Sequence, residues 1–190
     1  ASESWPAAAP YVRHRTGLEI EEAEPLPLEA PLPSGLDLLH LSGRRALHLS
    51  QGERSALRAW VEAGGTLLVD AWAGDPGFAE SARGVLTELF GALRPAERRD
   101  ALLAGRFVGG ADLEQGVGFS LPARRELRRR SADLQRLHVE VAEVQGRVAV
   151  VFSEFDLSAA LAGVPVYQSR GLREASALQF VANLSGALAE

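Results

Sequence analysis

The stretch "EAGGTLLVDAWAGDPGF", Glu62 to Phe78, decides the fold. Its centre, "TLLVD", is an almost unbroken apolar run that stops on a carboxylate. Such a run suits a strand covered on both faces, the usual situation in parallel sheets. Gly64 and Gly65 stand before it, as glycines do where a helix stops. Asp75 and Pro76 stand after it, as an N-cap and a first helical residue. Helix, buried strand and helix in immediate succession point to an α/β architecture with right-handed crossovers.

Upstream, "LSQGERSALRAWVEAGG" is the helix that Gly64 and Gly65 close. Ser50 and Glu53 form a capping box. Leu57, Trp60 and Val61 share one face, and Arg54, Arg58 and Glu62 share the other. "LDLLHLSG" (Leu36 to Gly43) reads as a second buried strand. "EPLPLEAPLPSG" before it is an irregular surface connection, because each proline removes a backbone donor. Leu18 to Ala23 alternates as a strand would, and Ala7 to Arg15 suits a short helix. Downstream, Phe78, Ala82, Val85, Leu86, Leu89 and Phe90 make the stripe of the helix begun at Asp75. Arg94 to Arg136 holds turns, a candidate strand near Val117 to Leu121 and an arginine-dense segment. "LHVEVAEVQGRVAVVFS" is a hairpin turning at Gln145-Gly146. A last helix from about Arg173 to Leu188 faces inward through Leu178, Val181, Ala182, Ser185 and Leu188. The expected whole is one α/β domain over residues 1–190: a three-layer sandwich, mostly parallel, with helices on both faces and a late hairpin.

Composition narrows the chemistry. The 190 residues carry a net charge of -5, which gives no global attraction to nucleic acid. Cysteine is absent, so disulfides, thiolate metal sites and a cysteine nucleophile are excluded. All 20 basic residues are arginine, so neither a Schiff base nor a Walker lysine is available. No apolar run reaches the roughly 18 residues of a spanning helix. Methionine is absent even at position 1, so the chain is expected to be a fragment, a processed product or an excised domain.

"RTGLEIE", "LLHLSG", "LSQGERSALRAWVEAGGTLLVDAWAG" with "DPGF", "GRVAVVFSEFDLSAAL" and "ASALQFVANLSGAL" together resemble a bacterial family, domain of unknown function 4159. The resemblance implies a flavodoxin-like sandwich similar to class I glutamine amidotransferases, with no established activity. It also implies an exported or membrane-associated setting and a first strand preceding "SESWP". Members commonly carry a histidine where this chain has Arg44, and paired aspartates where Asp70 is followed by Ala71. By architectural analogy, the amidotransferase cysteine falls at Ala71 or Trp72, and the histidine region is "FSEFD", which has none.

Open α/β sheets bind ligands beyond the carboxyl ends of their strands. That rule selects Ser42, Gly43 and Arg44, then Asp70 and Trp72, then Ser153, Glu154 and Asp156. Asp70 has three readings: general acid or base, cation ligand, or a carboxylate satisfying backbone amides at a helix start. Asp156 before "LSAAL" reads as an N-cap. His14, His40, His48 and His138 form neither HxH nor HExxH, so no metal or other cofactor is expected. No G-x-S-x-G occurs, although Ser42 could meet His40 or His48. Trp72 either stacks on a ligand or covers the core. The run Arg124, Arg125, Arg128, Arg129 and Arg130 is either a basic partner face or a solvated helix. The leading expectation is a non-catalytic binding or interaction module within a larger bacterial protein. The alternatives are a hydrolase using Asp70 with Ser42 or a cation, and a structural subunit of an envelope complex.

Overall fold

The computed structural model describes residues 4–28 and 31–189. Glu29 and Ala30, inside the proline-rich connection, lie outside the described residues. The elements are α1 (Ser4–Thr16), β1 (Leu38–Gly43), α2 (Gln51–Glu62), β2 (Thr66–Ala71) and a 3-10 turn (Trp72–Gly74). There follow α3 (Pro76–Phe90), β3 (Arg94–Pro95), α4 (Ala101–Ala104), α5 (Leu121–Arg129), β4 (Glu140–Val144), β5 (Arg147–Ser153), α6 (Ser158–Leu161) and α7 (Glu174–Leu188). The strands form one open sheet in the order β1-β2-β5-β4-β3.

The sheet is mixed, which corrects the expectation of a mostly parallel one. β1-β2 and β2-β5 are parallel, whereas β5-β4 and β4-β3 are antiparallel. The cause is the two-residue turn. Gln145 and Gly146 both take positive φ, 54° and 79°, as a type I′ turn requires. A connection that short allows only antiparallel pairing.

The helix ends follow the local chemistry. Ser50 Oγ accepts from Glu53 N at 3.2 Å, and Glu53 returns a carboxylate to Ser50 N at 2.7 Å. Asp75 Oδ1 accepts from Phe78 N at 2.8 Å, with Pro76 in the first turn. At the other end of α2, a β-carbon on Gly65 would lie 2.3 Å from the Trp60 indole, so the ring needs glycine there.

Side chains alternate across the sheet. Leu67, Val69, Val150 and Phe152 face one apolar cluster with Leu57, Trp60 and Val61 of α2 and Phe78, Ala82 and Leu86 of α3. Leu68, Val141 and Val151 face the other, built from α1, α4, α5, α6 and α7. Helices therefore cover both faces, and β2 is buried along its whole length.

Three further expectations are corrected. Leu18–Ala23 forms no strand: Leu18 and Ile20 rest against a core, but no strand lies beside them to pair. Val117–Leu121 contributes only an isolated bridge between Phe119 and Leu172. The inward face of α7 is rotated to Ala177, Phe180, Val181 and Leu184, and Leu178, Ser185 and Leu188 are only half-buried.

Candidate functional site

The strand register sets Ser42, Asp70 and Ser153 abreast across β1, β2 and β5. Asp70 is the hub. It is wholly buried and accepts four hydrogen bonds. Leu157 N and Ser158 N donate to Oδ2 at 2.8 and 3.1 Å. Ser158 Oγ donates to Oδ1 at 3.0 Å, and His40 Nε2 lies 2.8 Å from the same oxygen. Burial pushes the carboxyl up, but the bonds from His40 and the Leu157 amide outweigh it and hold the group below its ordinary range. The reading of Asp70 as a carboxylate satisfying backbone amides describes this geometry.

His40 is held from both sides. Trp5 Nε1 donates to its Nδ1 at 2.9 Å. Indole N–H is only a donor, so Nδ1 carries no proton and Nε2–H donates to Asp70. Both ring nitrogens are thus engaged, and the Trp5 and His40 rings meet edge to face at 5.8 Å. Ser42 Oγ is buried with no hydrogen-bond partner among the described residues. His40, with both ring nitrogens engaged, has none left to take its proton.

Asp156 ties the same end of the sheet together. Its Oδ1 accepts from Ala159 N at 2.9 Å, as an N-cap does. Its Oδ2 accepts from Ala73 N at 2.9 Å and Ser169 Oγ at 2.8 Å. Burial raises this carboxyl above its ordinary value, and the nearby Asp70 charge adds to the rise. Ala73 sits at φ 55°, a left-handed conformation that costs a non-glycine residue energy. The Asp156 bond and Arg170 N, which donates to Ala73 O at 3.0 Å, hold it there. The Arg170 guanidinium also reaches Gly74 O.

The other candidates lie around this network. Ser153 is buried in its own turn, its Oγ donating to Phe155 O at 2.8 Å. The Phe78 ring covers Gly43 so closely that a β-carbon there would lie 2.2 Å away. Trp72 is half-buried, and Arg44 is exposed. Beside Asp156 opens a groove of about 450 Å³, lined by Pro122, Val164, Pro165, Val166 and Ser169 among others. Of the lining residues Val164 is exposed (45%), and the exposed Leu121 (65%) and Tyr167 (89%) are chain neighbours of lining residues. Among the described residues no group of three or more acids and histidines is placed to hold a metal ion.

The arginine run divides into two sets. Arg129 and Arg130 bind Glu126, each at 2.6 Å, and Arg130 also reaches Glu154 at 2.7 Å. Those bonds hold Glu126 down to about 2. Glu154 in turn faces Arg83, whose guanidinium lies over the Phe152 ring at 5.0 Å and pairs with Glu140 at 2.8 Å. Arg124, Arg125 and Arg128 have no ion-pair partner among the described residues.

Trp5, Ser158 and Ser169 complete the network but were not singled out in the sequence. Only the shared face of His40 and Ser42, two residues apart on one strand, signalled it. No helix of the described residues is long and apolar enough to cross a membrane. Among curated proteins, none matches this chain. The model of a family described as a domain of unknown function, DUF4159, matches residues 4–185, nearly the whole chain, and the chain belongs to that family.

Proposed function

We propose that this is a non-catalytic binding or interaction module, one domain of a larger bacterial protein, on a sandwich of glutamine amidotransferase-like type. One observation carries the reading. The acids and the imidazole at the strand ends are spent on one another and on backbone amides. His40 has no free nitrogen, both Asp70 oxygens are taken, and both Asp156 oxygens accept backbone amides. A nucleophile needs a free base within hydrogen-bonding reach. The groove beside Asp156, with Val164 in its lining and Leu121 and Tyr167 next to lining residues in the chain, is the surface offered to a ligand; Arg44 and Trp72 follow β1 and β2 at the same end of the sheet.

A thermal-shift screen of small ligands and glycans tests this, run on wild type, Trp72→Ala and Tyr167→Ser. Hits lost in either variant, without turnover, support the reading. Robust hydrolysis of ester, phosphate or amide substrates, abolished by Ser42→Ala with the melting temperature kept, refutes it in favour of a hydrolase. A second reading, a structural subunit of an envelope complex, draws on Arg124, Arg125 and Arg128 of α5, which have no ion-pair partner among the described residues. Reversing Arg125 and Arg128 should then weaken binding to an acidic partner and leave the fold intact.

A further inference from the structure

The outer face of α5 runs into the groove beside Asp156. Ser120 caps this helix and Pro122 stands in its first turn, and both also line the groove. Ala123 and Leu127 are its buried side. Leu121, Arg125 and Arg128 follow one another at helical spacing on the opposite side, and all three are exposed. Arg124 stands half-buried beside them. The row is apolar at the groove end and cationic at the other. The 25 acids of the chain outnumber its 20 arginines, yet none pairs with Arg124, Arg125 or Arg128 among the described residues. The one acid of α5, Glu126, is bound by Arg129 and Arg130.

Guanidinium groups without counter-ions fit carboxylates, which they bind through paired donors. The groove end selects differently. Its lining joins Val164, Pro165 and Val166 to an exposed acid, Glu174, so it favours an apolar side chain over a further carboxylate. From Leu121 to Arg128 the helix rises about 11 Å. An extended segment covers that distance in about four residues. The occupant that fits is therefore short, acidic along its length and apolar at one end. A nucleic acid or an anionic membrane spreads its charge over a far wider area and would be repelled by the net charge of -5.

Building on the reading of this chain as a binding module, we propose that α5 and the groove form one docking surface for a short acidic segment of another protein. Its carboxylates lie on Arg125 and Arg128, flanked by Arg124, and its apolar end lies against Leu121 and the groove. Recognition of acidic motifs by arginine clusters is a recurring way of binding a peptide.

Fluorescence anisotropy with labelled peptides at low salt tests this. The peptide EEDELF should bind. QQNQLF, which lacks the charges, and EEDEGG, which lacks the apolar end, should each bind about tenfold more weakly. Added salt should weaken EEDELF and spare QQNQLF. Arg125→Glu/Arg128→Glu should weaken EEDELF by about tenfold or more, because attraction becomes repulsion. Arg45→Glu/Arg98→Glu makes the same change of net charge at two other exposed arginines and should leave binding unchanged. Leu121→Ser should weaken EEDELF and leave EEDEGG unaffected, which ties the apolar end to that residue. All five positions are exposed, so the melting temperature should hold. No binding of EEDELF at about 1 mM, equal binding of QQNQLF, or equal loss in the two reversed pairs overturns the proposal. Thermal-shift hits that persist while EEDELF fails leave the binding module standing without this partner, whereas failure of both removes the module as well. A chain that self-associates in sedimentation until Arg125 and Arg128 are reversed overturns the separate partner. Tighter binding to an RNA oligomer or to anionic vesicles overturns the acidic segment.

Discussion

Asp70→Asn is the most direct probe of the buried network. The substitution keeps the shape and replaces one acceptor oxygen with an NH₂ group. If the amide oxygen faces Leu157 N and Ser158 N, the NH₂ meets His40 Nε2–H, and two donors confront each other. Changing the His40 tautomer moves the conflict to Trp5 Nε1–H, which has no acceptor form. Turning the amide over leaves two backbone amides unpaired instead. One unsatisfied buried group costs about 1–3 kcal/mol, and losing the ionised acceptor adds about 1 kcal/mol. The expected loss is about 3 kcal/mol at pH 7, or roughly 6–12 °C in melting temperature for a chain of this size. Urea unfolding followed by tryptophan fluorescence measures it. Acid supplies a second signature. The folded carboxyl lies below its ordinary value, so its stabilisation is fully present above that value and is lost as pH falls through the folded pKa. The gap between wild type and variant should therefore narrow in acid. A loss under about 1 kcal/mol at pH 7, well below the cost of one unsatisfied group, or a gap that does not narrow, refutes the account of Asp70.

Asp156→Asn should behave with the opposite sign. Its carboxyl is raised by burial, so the stabilisation it gives is present below the unfolded value and fades as pH rises through the folded one. The variant's deficit should be larger at about pH 3 than at about pH 7 in the same urea assay, because those pH values bracket an ordinary carboxyl. Trp5→Phe keeps an aromatic ring against His40 and removes one donor, which should cost about 1 kcal/mol. Nitrogen NMR should still find the His40 Nε2–H tautomer, and any other tautomer would contradict Asp70 as its acceptor. Gly74→Ala should cost about 3 kcal/mol or more, because its φ is +66° and a β-carbon would lie 2.4 Å from Arg170 O. Gly146→Ala, at φ +79° with open space around it, should cost only about 1 kcal/mol in thermal unfolding.

The elements that local chemistry dictates were legible. The Ser50–Glu53 box, the Asp75–Pro76 start and the Gln145-Gly146 turn each need only their immediate neighbours, and each sits where the residues placed it. Sheet direction was legible in part: β1 and β2 are parallel as read and the hairpin is present, but β4 beyond β5 and the short β3 beyond β4 both pair antiparallel, which makes the sheet mixed. "LEIEEA" alternates like a strand, but alternation without a neighbour to pair with makes no strand. At the site, the offset of carboxylates from strand ends was visible, and so was the capping role of Asp156. Their partners were not. Ser158 bonds to a residue 88 positions away, and Trp5 reaches His40 across 35. No periodicity in one sequence encodes such pairings.

The sheet order has a consequence for how the chain is made. β5, the latest of these five strands in chain order, occupies the middle of the sheet, between β2 and β4. Until it arrives, β2 has an open flank, and the half-built protein must hold this apolar edge in water or in the care of a chaperone. A nascent chain stopped before Arg147 would lack not a border but its keystone.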